Sequence, residues 1–300
     1  MPETNATAGL RPTVTPDLSI YASPKIDCHC HILDPLGFAY ADDVAYRPTG
    51  QETGSADYFS RVLDAYGVRH ALLVEPNSGY GLDNRCMLDA IARGAGRFKG
   101  VAVVPNDCSD ARLSELQAQG IVGVAFNVAL LGPDYYADVD PLLERLGQRG
   151  MFAQVQVIDD QLLPLVARLL GSGAPILIDH CGRPDPARRA APTAVGPQPS
   201  DAGFAALLQL GASGRASVKL SGFIKFSRSP YPFADCSAIC AELLQAFGPD
   251  HCMWASDWPH LKAPYRLDYG PLLQQFASTV TDPAVRHKIL WETPRRLFGF

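Results

Sequence analysis

Lys25-Ile26-Asp27-Cys28-His29-Cys30-His31 is the stretch of sequence that decides the fold and its chemistry. It reads as a first β-strand that ends in two histidines, His29 and His31. Because side chains alternate between the two faces of a strand, both imidazoles are predicted to project from the same face. Two imidazoles on one face can reach a single ion or substrate atom. The stretch therefore indicates a site at the end of a strand.

Two later segments repeat this pattern. Pro175–His180 ends in an imidazole and Cys252–Asp257 ends in a carboxylate, and both are apolar, strand-like runs. A single histidine is more often a surface residue or a hydrogen-bonded core residue than a ligand. The recurrence at three strand ends favours one shared site, formed by the two histidines of the first strand together with His180 and Asp257.

Strand-like and helix-like segments alternate from Lys25 onwards, which predicts a parallel sheet built of βα units. The strand candidates are Lys25–His31, His70–Glu75, Gly100–Val104, Val122–Asn127, Phe152–Ile158, Pro175–His180, Ser217–Ser221 and Cys252–Asp257. Amphipathic stretches between them, such as residues 58–66, are predicted as outer helices. An open doubly wound sheet would show the same alternation, but eight units favour a closed α/β barrel of the (β/α)8 TIM type.

Composition describes one globular domain of 300 residues with 47% hydrophobic and 19% charged positions. The barrel is predicted over residues 25–300, and the polar, proline-bearing residues 1–24 are expected to form an extended N-terminal arm. The formal charge of -5 and the scattered basic residues argue against a nucleic-acid partner. No export signal or membrane span is visible, so we expect a cytoplasmic protein whose eight cysteines are free, buried thiols. Parity points Cys28 and Cys30 away from the histidine face.

Two long irregular segments follow predicted strands. They are Asp34–Gly54, after the first strand, and Gly182–Ser200, after the sixth. Loops of this length are commonly lids or binding loops, and both leave the carboxyl ends of strands, where a barrel places its active site.

Three motifs carry a resemblance to a known family. They are Asp27-x-His29-x-His31, Asp179-His180-Cys181-Gly182-Arg183-Pro184 and Ser256-Asp257-Trp258-Pro259-His260. They resemble the amidohydrolase superfamily, and most closely its lactone-hydrolase branch, whose members act on 2-pyrone-4,6-dicarboxylate, 4-sulfomuconolactone and sugar lactones. The resemblance runs from about Lys25 to Phe300. It implies a distorted (β/α)8 barrel with the histidine pair on strand 1, His180 on strand 6 and Asp257 on strand 8.

The resemblance implies two possible uses of His29, His31, His180 and Asp257. In zinc-using relatives the matching residues are metal ligands, whereas a metal-free relative uses them to hold the substrate carbonyl. Three imidazoles and a carboxylate suit Zn²⁺, which lowers the pKa of a bound water to roughly 7. Without the ion, imidazoles can polarise the carbonyl directly. We expect one divalent metal ion, Zn²⁺.

Binuclear members of the superfamily carry a bridging lysine or glutamate on strand 4 and a histidine on strand 5. Here strand 4 ends in Phe126 and Asn127, and strand 5 offers Gln154 and Gln156. A two-metal centre is therefore not expected.

The predicted activity is hydrolytic opening of a small lactone, a carboxylic ester, in the catabolism of aromatic- or sugar-derived acids. Asp257 would accept the proton of the attacking water and the histidines would stabilise the oxyanion. A metal-dependent nonoxidative decarboxylase, a lactone isomerase and a catalytically silent binding barrel remain alternatives. The sequence does not exclude a homo-oligomer.

Further residues near strand ends are candidates for binding the substrate. Tyr46 matches a substrate-facing tyrosine of the lactonases. The remaining candidates are Asn77, Ser78, Tyr80, Asn127, Gln154, Gln156, Lys225, Arg228, Trp258 and His260. Pyrone-dicarboxylate relatives carry arginines where this chain reads Val122–Asn127, so a dicarboxylate clamp of that kind is not expected. Arg183 and Glu75 are expected to be structural.

Overall fold

The computed structural model describes residues 17–189 and 201–300. Within these ranges eight parallel strands lie in sequence order, each hydrogen-bonded to the next. They are β1 (Lys25–Cys30), β2 (Val68–Val74), β3 (Phe98–Ala102), β4 (Ile121–Asn127), β5 (Phe152–Gln156), β6 (Ile176–Ile178), β7 (Ala216–Leu220) and β8 (Cys252–Trp254). All eight predicted strands are confirmed, with ends that differ by at most three residues.

The sheet closes between β1 and the segment that follows β8. The amide of His31 donates to the carbonyl of Trp258 at 2.8 Å, and the amide of Asp257 donates to the carbonyl of His29 at 2.9 Å. These bonds continue a short parallel bridge between Cys30 and Trp258. The predicted closed (β/α)8 barrel is therefore confirmed.

Helices surround the barrel, and most of them bury apolar side chains. They are α1 (Ser19–Ala22), α2 (Ala56–Ala65), α3 (Asn77–Tyr80), α4 (Arg85–Arg93), α5 (Asp110–Ala118), α6 (Val128–Leu131), α7 (Asp140–Arg149), α8 (Val166–Gly171), α9 (Pro186–Arg189), α10 (Ala202–Ala212), α11 (Ser237–Phe247), α12 (Tyr269–Thr279), α13 (Pro283–His287) and α14 (Thr293–Phe298). In α2 the side chain of Ser55 caps the first turn, and Phe59 and Leu63 are buried, as the amphipathic pattern predicts.

Short helical segments of other types complete the architecture. Turns of 3-10 helix lie at Gly50–Glu52, Asp134–Tyr136, Asp159–Leu165, His180–Gly182, Phe223–Lys225 and Ala234–Cys236, and a π-helical turn lies at Lys288–Glu292. The 3-10 turns lie in the segments that follow β1, β4, β5, β6 and β7, at the carboxyl end of the barrel.

The barrel interior changes from apolar to polar along its axis. Residues such as Ile26, Leu72, Leu177 and Met253 form an inner apolar cluster, which Phe298 of α14 joins. Nearer the carboxyl ends of the strands the inward side chains are polar, and they include Gln154, Asp179 and Lys219, all of which are buried. Along the barrel axis, a layer of buried polar side chains therefore separates the apolar layer from the active-site end.

A β-bulge interrupts the alternation of β1. Asp27 pairs with Ala71 and Cys30 pairs with Leu73, so three steps on β1 span two steps on β2. As a result Cys28 packs in the inner cluster, whereas Cys30 packs in the outer core between strands and helices. The prediction that both cysteines point away from the histidine face is right for Cys30 and wrong for Cys28, because strict parity fails at a bulge.

The N-terminal segment differs from its prediction where it is described. Residues 19–22 form helix α1, and Ile20 on this helix is buried in the core, so an extended arm is wrong for this part. Burial of an apolar side chain stabilises a helical turn over an extended strand here. Residues 1–16 lie outside the described residues, and so do residues 190–200 of the long segment predicted after strand 6.

The long segment after β1 is fastened at its two ends. Leu33 and Gly54 form an antiparallel bridge, with amide-to-carbonyl distances of 3.1 and 2.8 Å. Gly54 is required at this point, because a Cβ there would lie 2.0 Å from the ring of Trp258.

Among the described residues, no helix is both long and apolar enough to cross a lipid bilayer.

Candidate active site

A cavity of about 490 Å³ opens at the carboxyl ends of the strands. This is the end at which (β/α)8 barrels carry their active sites. Its polar walls are His29, His31, Glu75, Asn77, Ser78, Asn127, Gln154, Gln156, Asp179, His180, Arg183, Lys225, Asp257 and Lys262. Apolar side chains, among them Phe126, Leu130 and Leu261, line the rest.

The four residues of the predicted site meet at the bottom of this cavity. The Nε2 atoms of His31, His180 and His29 lie 3.5, 3.7 and 3.9 Å from Oδ1 of Asp257. All four side chains are buried. One carboxylate oxygen therefore faces three imidazoles that come from β1 and from the end of β6.

Asp257 is held by a clamp that begins on β1. The carboxylate of Asp27 accepts hydrogen bonds from the amide of Ser256 at 2.9 Å, the Ser256 hydroxyl at 2.5 Å and the Tyr269 hydroxyl at 2.8 Å. Ser256 Oγ in turn accepts from the amide of Trp258. The clamp grips the residues on both sides of Asp257, whose φ of 59° lies in the left-handed region. Burial raises the pKa of Asp27.

His31 and His180 are oriented by partners behind their rings. Nδ1 of His31 donates to the carbonyl of Val74 at 2.8 Å, and Nδ1 of His180 lies 3.0 Å from Oγ of Ser221. Gly222 approaches the His180 ring so closely that a Cβ would lie 2.5 Å from Cγ. Only a glycine accommodates both this contact and its φ of 67°.

A buried ion pair lies beneath His29. Nζ of Lys219 is 2.9 Å from Oδ1 of Asp179, 2.6 Å from Oε1 of Gln154 and 3.2 Å from Nδ1 of His29. Gln154 Nε2 donates to the other oxygen of Asp179 at 2.8 Å. Sequence reasoning missed Lys219 as a site residue; the available signal was a lysine within an otherwise apolar strand.

Burial and local charge set the protonation states of the site. Burial lowers the pKa of His29 to about 4 and that of His180 to about 3, so both imidazoles are neutral at neutral pH. Burial alone would raise the pKa of Asp257, but Lys225, whose Nζ is 3.4 Å from Oδ2, and the nearby imidazoles hold it well below its usual range. The site thus combines an ionised carboxylate with two neutral imidazoles, those of His29 and His180.

These donors fit one divalent cation. The ligand atoms of His29, His31 and Asp257 lie within 4.8 Å of one another, and His180 adds a third imidazole. Imidazole nitrogens with a carboxylate oxygen are a common zinc donor set. The bond from Nδ1 of His31 to a carbonyl leaves its Nε2 free for a ligand role.

Residues 26–300 match the family model described as Amidohydrolase. The chain belongs to the amidohydrolase family. It is 31% identical to a 4-sulfomuconolactone hydrolase from Rhizobium radiobacter, over 93% of this chain and 92% of that protein. It is 26% identical to a D-galactarolactone isomerase from Agrobacterium fabrum, over 84% and 83% of the two chains.

A solved structure agrees with the sequence relatives. The amidohydrolase superposes with a TM-score of 0.80 on a probable 2-pyrone-4,6-dicarboxylic acid hydrolase from Acinetobacter baumannii with citric acid bound. The two proteins are 27% identical over 92% of this chain and 99% of that chain. The predicted family resemblance is therefore confirmed together with the fold.

The structure of this amidohydrolase brings six of the predicted substrate contacts to the cavity wall. They are Asn77, Ser78, Asn127, Gln154, Gln156 and Lys225. Nδ2 of Asn127 donates to Oδ1 of Asn77 at 3.1 Å, so an amide at the end of β4 and one just after β2 form one polar patch.

Two of the other predicted contacts are engaged behind or outside the cavity wall. Tyr80 is buried, and its hydroxyl accepts the amide of Asp34. Arg228 is exposed and forms a two-pronged ion pair with Asp185. The alternation of side chains along a strand and the nearness of Tyr80 and Arg228 to strand ends do not predict these hydrogen-bond and ion-pair partners.

The side chains of Tyr46, Trp258 and His260 also lie away from the active-site cavity. The Tyr46 hydroxyl bonds to Glu52, and its ring lies beneath the ammonium of Lys262, 4.5 Å from Nζ. Trp258 and His260 line a separate cavity of about 800 Å³ on the other side of the loop after β8. Positive φ angles at Asp257 and His260 reverse the chain at this loop.

Two cations of the cavity wall were not predicted as contacts. Arg183 was expected to be structural, yet it lines the cavity, and its Nε is buried without a hydrogen-bond partner among the described residues. Lys262 also lines the cavity. Both residues lie in loops, where sequence spacing gives no direction for a side chain.

Proposed function

We propose that this amidohydrolase hydrolyses the ester bond of a small lactone. The observation that carries the proposal is the Asp257 carboxylate facing three buried imidazoles at the bottom of an open cavity, where burial lowers the pKa of His29 and of His180. The names of its relatives, a sulfomuconolactone hydrolase and a probable pyrone-dicarboxylic acid hydrolase, support the same reaction class.

In the proposed reaction, Asp257 accepts a proton from water as the water oxygen attacks the lactone carbonyl carbon. Imidazole N–H groups donate to the carbonyl oxygen, on which negative charge develops. The ring C–O bond then breaks, and the proton held by Asp257 passes to the departing oxygen. The product is the open hydroxy acid, and one water is consumed.

We further propose one divalent ion, Zn²⁺, held by His29, His31, His180 and Asp257. The donor set supports this assignment. When bound, the ion would polarise the carbonyl as a Lewis acid in place of the imidazole N–H groups, because a coordinated imidazole nitrogen carries no proton. The protein residues would still orient the lactone and hold the proton at Asp257.

The walls indicate the class of lactone. Lys225, Lys262 and Arg183 supply positive charge, while amides such as Asn77 and Asn127 offer hydrogen bonds to hydroxyl or carbonyl groups. β4 contributes Ala125 and Phe126 to the wall, without a cation. We propose a lactone with one acidic substituent, consumed in the cytoplasmic catabolism of an aromatic- or sugar-derived acid.

Lactone isomerisation is a second candidate, because one relative is named D-galactarolactone isomerase. An isomerase moves the acyl group to another hydroxyl of the same molecule and consumes no water. Hydrolysis in H₂¹⁸O would place one ¹⁸O atom in the acid product, whereas isomerisation would place none. Carbon dioxide release without water incorporation would instead identify a decarboxylase.

The test is turnover of a panel of muconolactones, sugar lactones and pyrones by wild type and by Asp257→Asn. Loss of the base should lower kcat by about 10²–10⁴-fold while the lactone still binds. Asp185→Asn is the control, because Asp185 pairs with Arg228 outside the cavity. Equal rates for Asp257→Asn and wild type, or no turnover of any lactone by zinc-supplemented wild type, would contradict the proposal.

A further inference from the structure

The two histidines of β1 face different buried partners. Nδ1 of His31 lies 2.8 Å from the carbonyl oxygen of Val74, which can only accept. The neutral form of His31 therefore carries its proton on Nδ1, which leaves a lone pair on the Nε2 that faces Asp257. Nδ1 of His29 lies 3.2 Å from Oδ1 of Asp179 and also 3.2 Å from Nζ of Lys219. One neighbour is an acceptor and the other a donor, so distance does not locate the proton.

A count of donors and acceptors locates it. Lys219 is fully buried, and its ammonium has three protons. Among the described residues these protons have three acceptors in reach: Gln154 Oε1 at 2.6 Å, Asp179 Oδ1 at 2.9 Å and His29 Nδ1 at 3.2 Å. If Nδ1 of His29 carried the proton, one buried N–H of Lys219 would have no acceptor, which is unfavourable.

Asp179 does not require the proton of His29. Its Oδ1 receives Lys219, and its Oδ2 receives Nε2 of Gln154 at 2.8 Å. Both carboxylate oxygens are therefore satisfied by groups other than the imidazole. The arrangement that satisfies every donor has Lys219 donating to Nδ1 of His29.

We propose that Lys219 is a positioning residue that keeps the proton of His29 on Nε2, so that His29 and His31 face the reaction centre in opposite tautomers. His29 then donates a hydrogen bond into the cavity, toward a carbonyl oxygen. His31 accepts one beside Asp257, where the water is deprotonated. The tautomers follow from hydrogen bonds alone, and their catalytic use rests on the proposed lactone hydrolysis.

The same network leaves His29 able to change roles. A cation bound at Nε2 of His29 requires its proton to lie on Nδ1, and Asp179 Oδ1 at 3.2 Å can accept it there. Lys219 thus favours the donor form of His29 in the metal-free protein, while Asp179 supports the ligand form.

Long-range ¹H–¹⁵N correlation spectra of the metal-free, ¹⁵N-histidine-labelled protein test the assignment. Loss of single signals in His29→Gln and His31→Gln identifies the two rings. We expect an Nε2–H tautomer for His29 and an Nδ1–H tautomer for His31. An Nδ1–H tautomer for His29 would overturn the proposal. This readout needs no substrate, so it stands apart from any failure of lactone turnover.

Lys219→Met tests whether the lysine sets the tautomer. Without the donor, the proton of His29 should move to Nδ1, facing Asp179. For the lactone and the metal-free enzyme, kcat should fall about 100-fold, with KM changed by less than about twofold because Lys219 does not line the cavity. A variant that keeps the Nε2–H tautomer and the wild-type kcat would show that Lys219 has no such role.

Lys25→Met is the matched control. Lys25 is also fully buried, but it donates to the carbonyls of Tyr21, Ser23 and Tyr66 at the opposite end of the barrel. Its loss should lower stability and leave the His29 tautomer unchanged. If Lys219→Met fails to fold, the wild-type spectrum still decides the tautomer.

Discussion

Two carboxylates of the cavity, Asp179 and Asp257, each pair with a lysine of their own. Asp179 pairs with Lys219 at 2.9 Å, and Asp257 pairs with Lys225 at 3.4 Å. Two ion pairs beside neutral imidazoles leave this part of the site with little net charge. An anionic group on a substrate would therefore be met mainly by cations nearer the rim, such as Lys262. At the scale of single residues, each lysine lowers the pKa of the carboxyl group with which it pairs.

Lys225→Met should test this tuning at Asp257. Lys225 lowers the pKa of the Asp257 carboxyl, so its removal raises that pKa. The base is then protonated at a higher pH, and the acidic limb of the kcat/KM profile should move toward neutrality. At a pH below the Asp257 pKa of both proteins, each unit by which the pKa rises lowers kcat/KM about tenfold. The measurement is kcat/KM for one lactone between pH 4 and 8.

Arg228→Met provides the control for this variant. Arg228 is exposed, pairs with Asp185 and does not line the cavity, although the sequence made it a candidate contact. Its profile should coincide with that of wild type. A shifted profile for Arg228→Met, or an unshifted one for Lys225→Met, would contradict the assignment.

At the scale of elements, the turns after the strands place the catalytic side chains. Gly222, directly after β7 and Ser221, lies against the His180 ring with a φ of 67°. The clamp from Asp27 holds the turn after β8 in the same manner. Backbone turns and neighbouring strands therefore fix His180 and Asp257 more than their own strands do.

Gly222→Ala is expected to displace His180. Its Cβ would lie 2.5 Å from the imidazole, in addition to the cost of a left-handed residue. Gly214→Ala has a similar φ of 69° with no atom near the added Cβ, so it carries the backbone cost alone. Both variants should lose about 1 kcal/mol of stability from the backbone, but only Gly222→Ala should also lose lactone turnover. Equal turnover in the two variants would refute the contact as the cause.

The elements and the quartet of His29, His31, His180 and Asp257 were predictable because they depend on local patterns. Apolar runs mark the strands, and a parallel barrel brings their carboxyl ends together. The bulge in β1 was not predictable, since strict alternation has no signal for an inserted residue. The partners of Lys219 are far away in sequence, on β1, β5 and after β6. His260 faces another cavity because positive φ angles reverse the loop.

At the scale of the whole molecule, buried histidines make stability depend on pH. Burial lowers the pKa of His260 to about 4, as it does for His29. The unfolded chain takes up these protons near pH 6.5, before the folded protein does. This contribution to stability is therefore complete above pH 6.5 and is lost as the pH falls toward 4.

His260→Asn should flatten this acid sensitivity. Asparagine does not titrate and tolerates the φ of 67° at this position. The slope of unfolding free energy against pH between 4 and 6.5 should fall by up to about 1.4 kcal/mol per unit, the value for one proton. Urea unfolding at several pH values measures it. The exposed His287→Asn is the control, and a flattening of equal size there would contradict a role for burial.

The bonds that join β1 to the segment after β8 involve the residues that flank or form the quartet. β1 is synthesised before the other seven strands, and the segment after β8 follows all of them. A nascent polypeptide consequently holds no assembled reaction centre until the segment after β8 leaves the ribosome and docks. Conversely, any fluctuation that breaks these hydrogen bonds also separates the residues of the reaction centre. Loss of barrel closure and loss of turnover are therefore coupled.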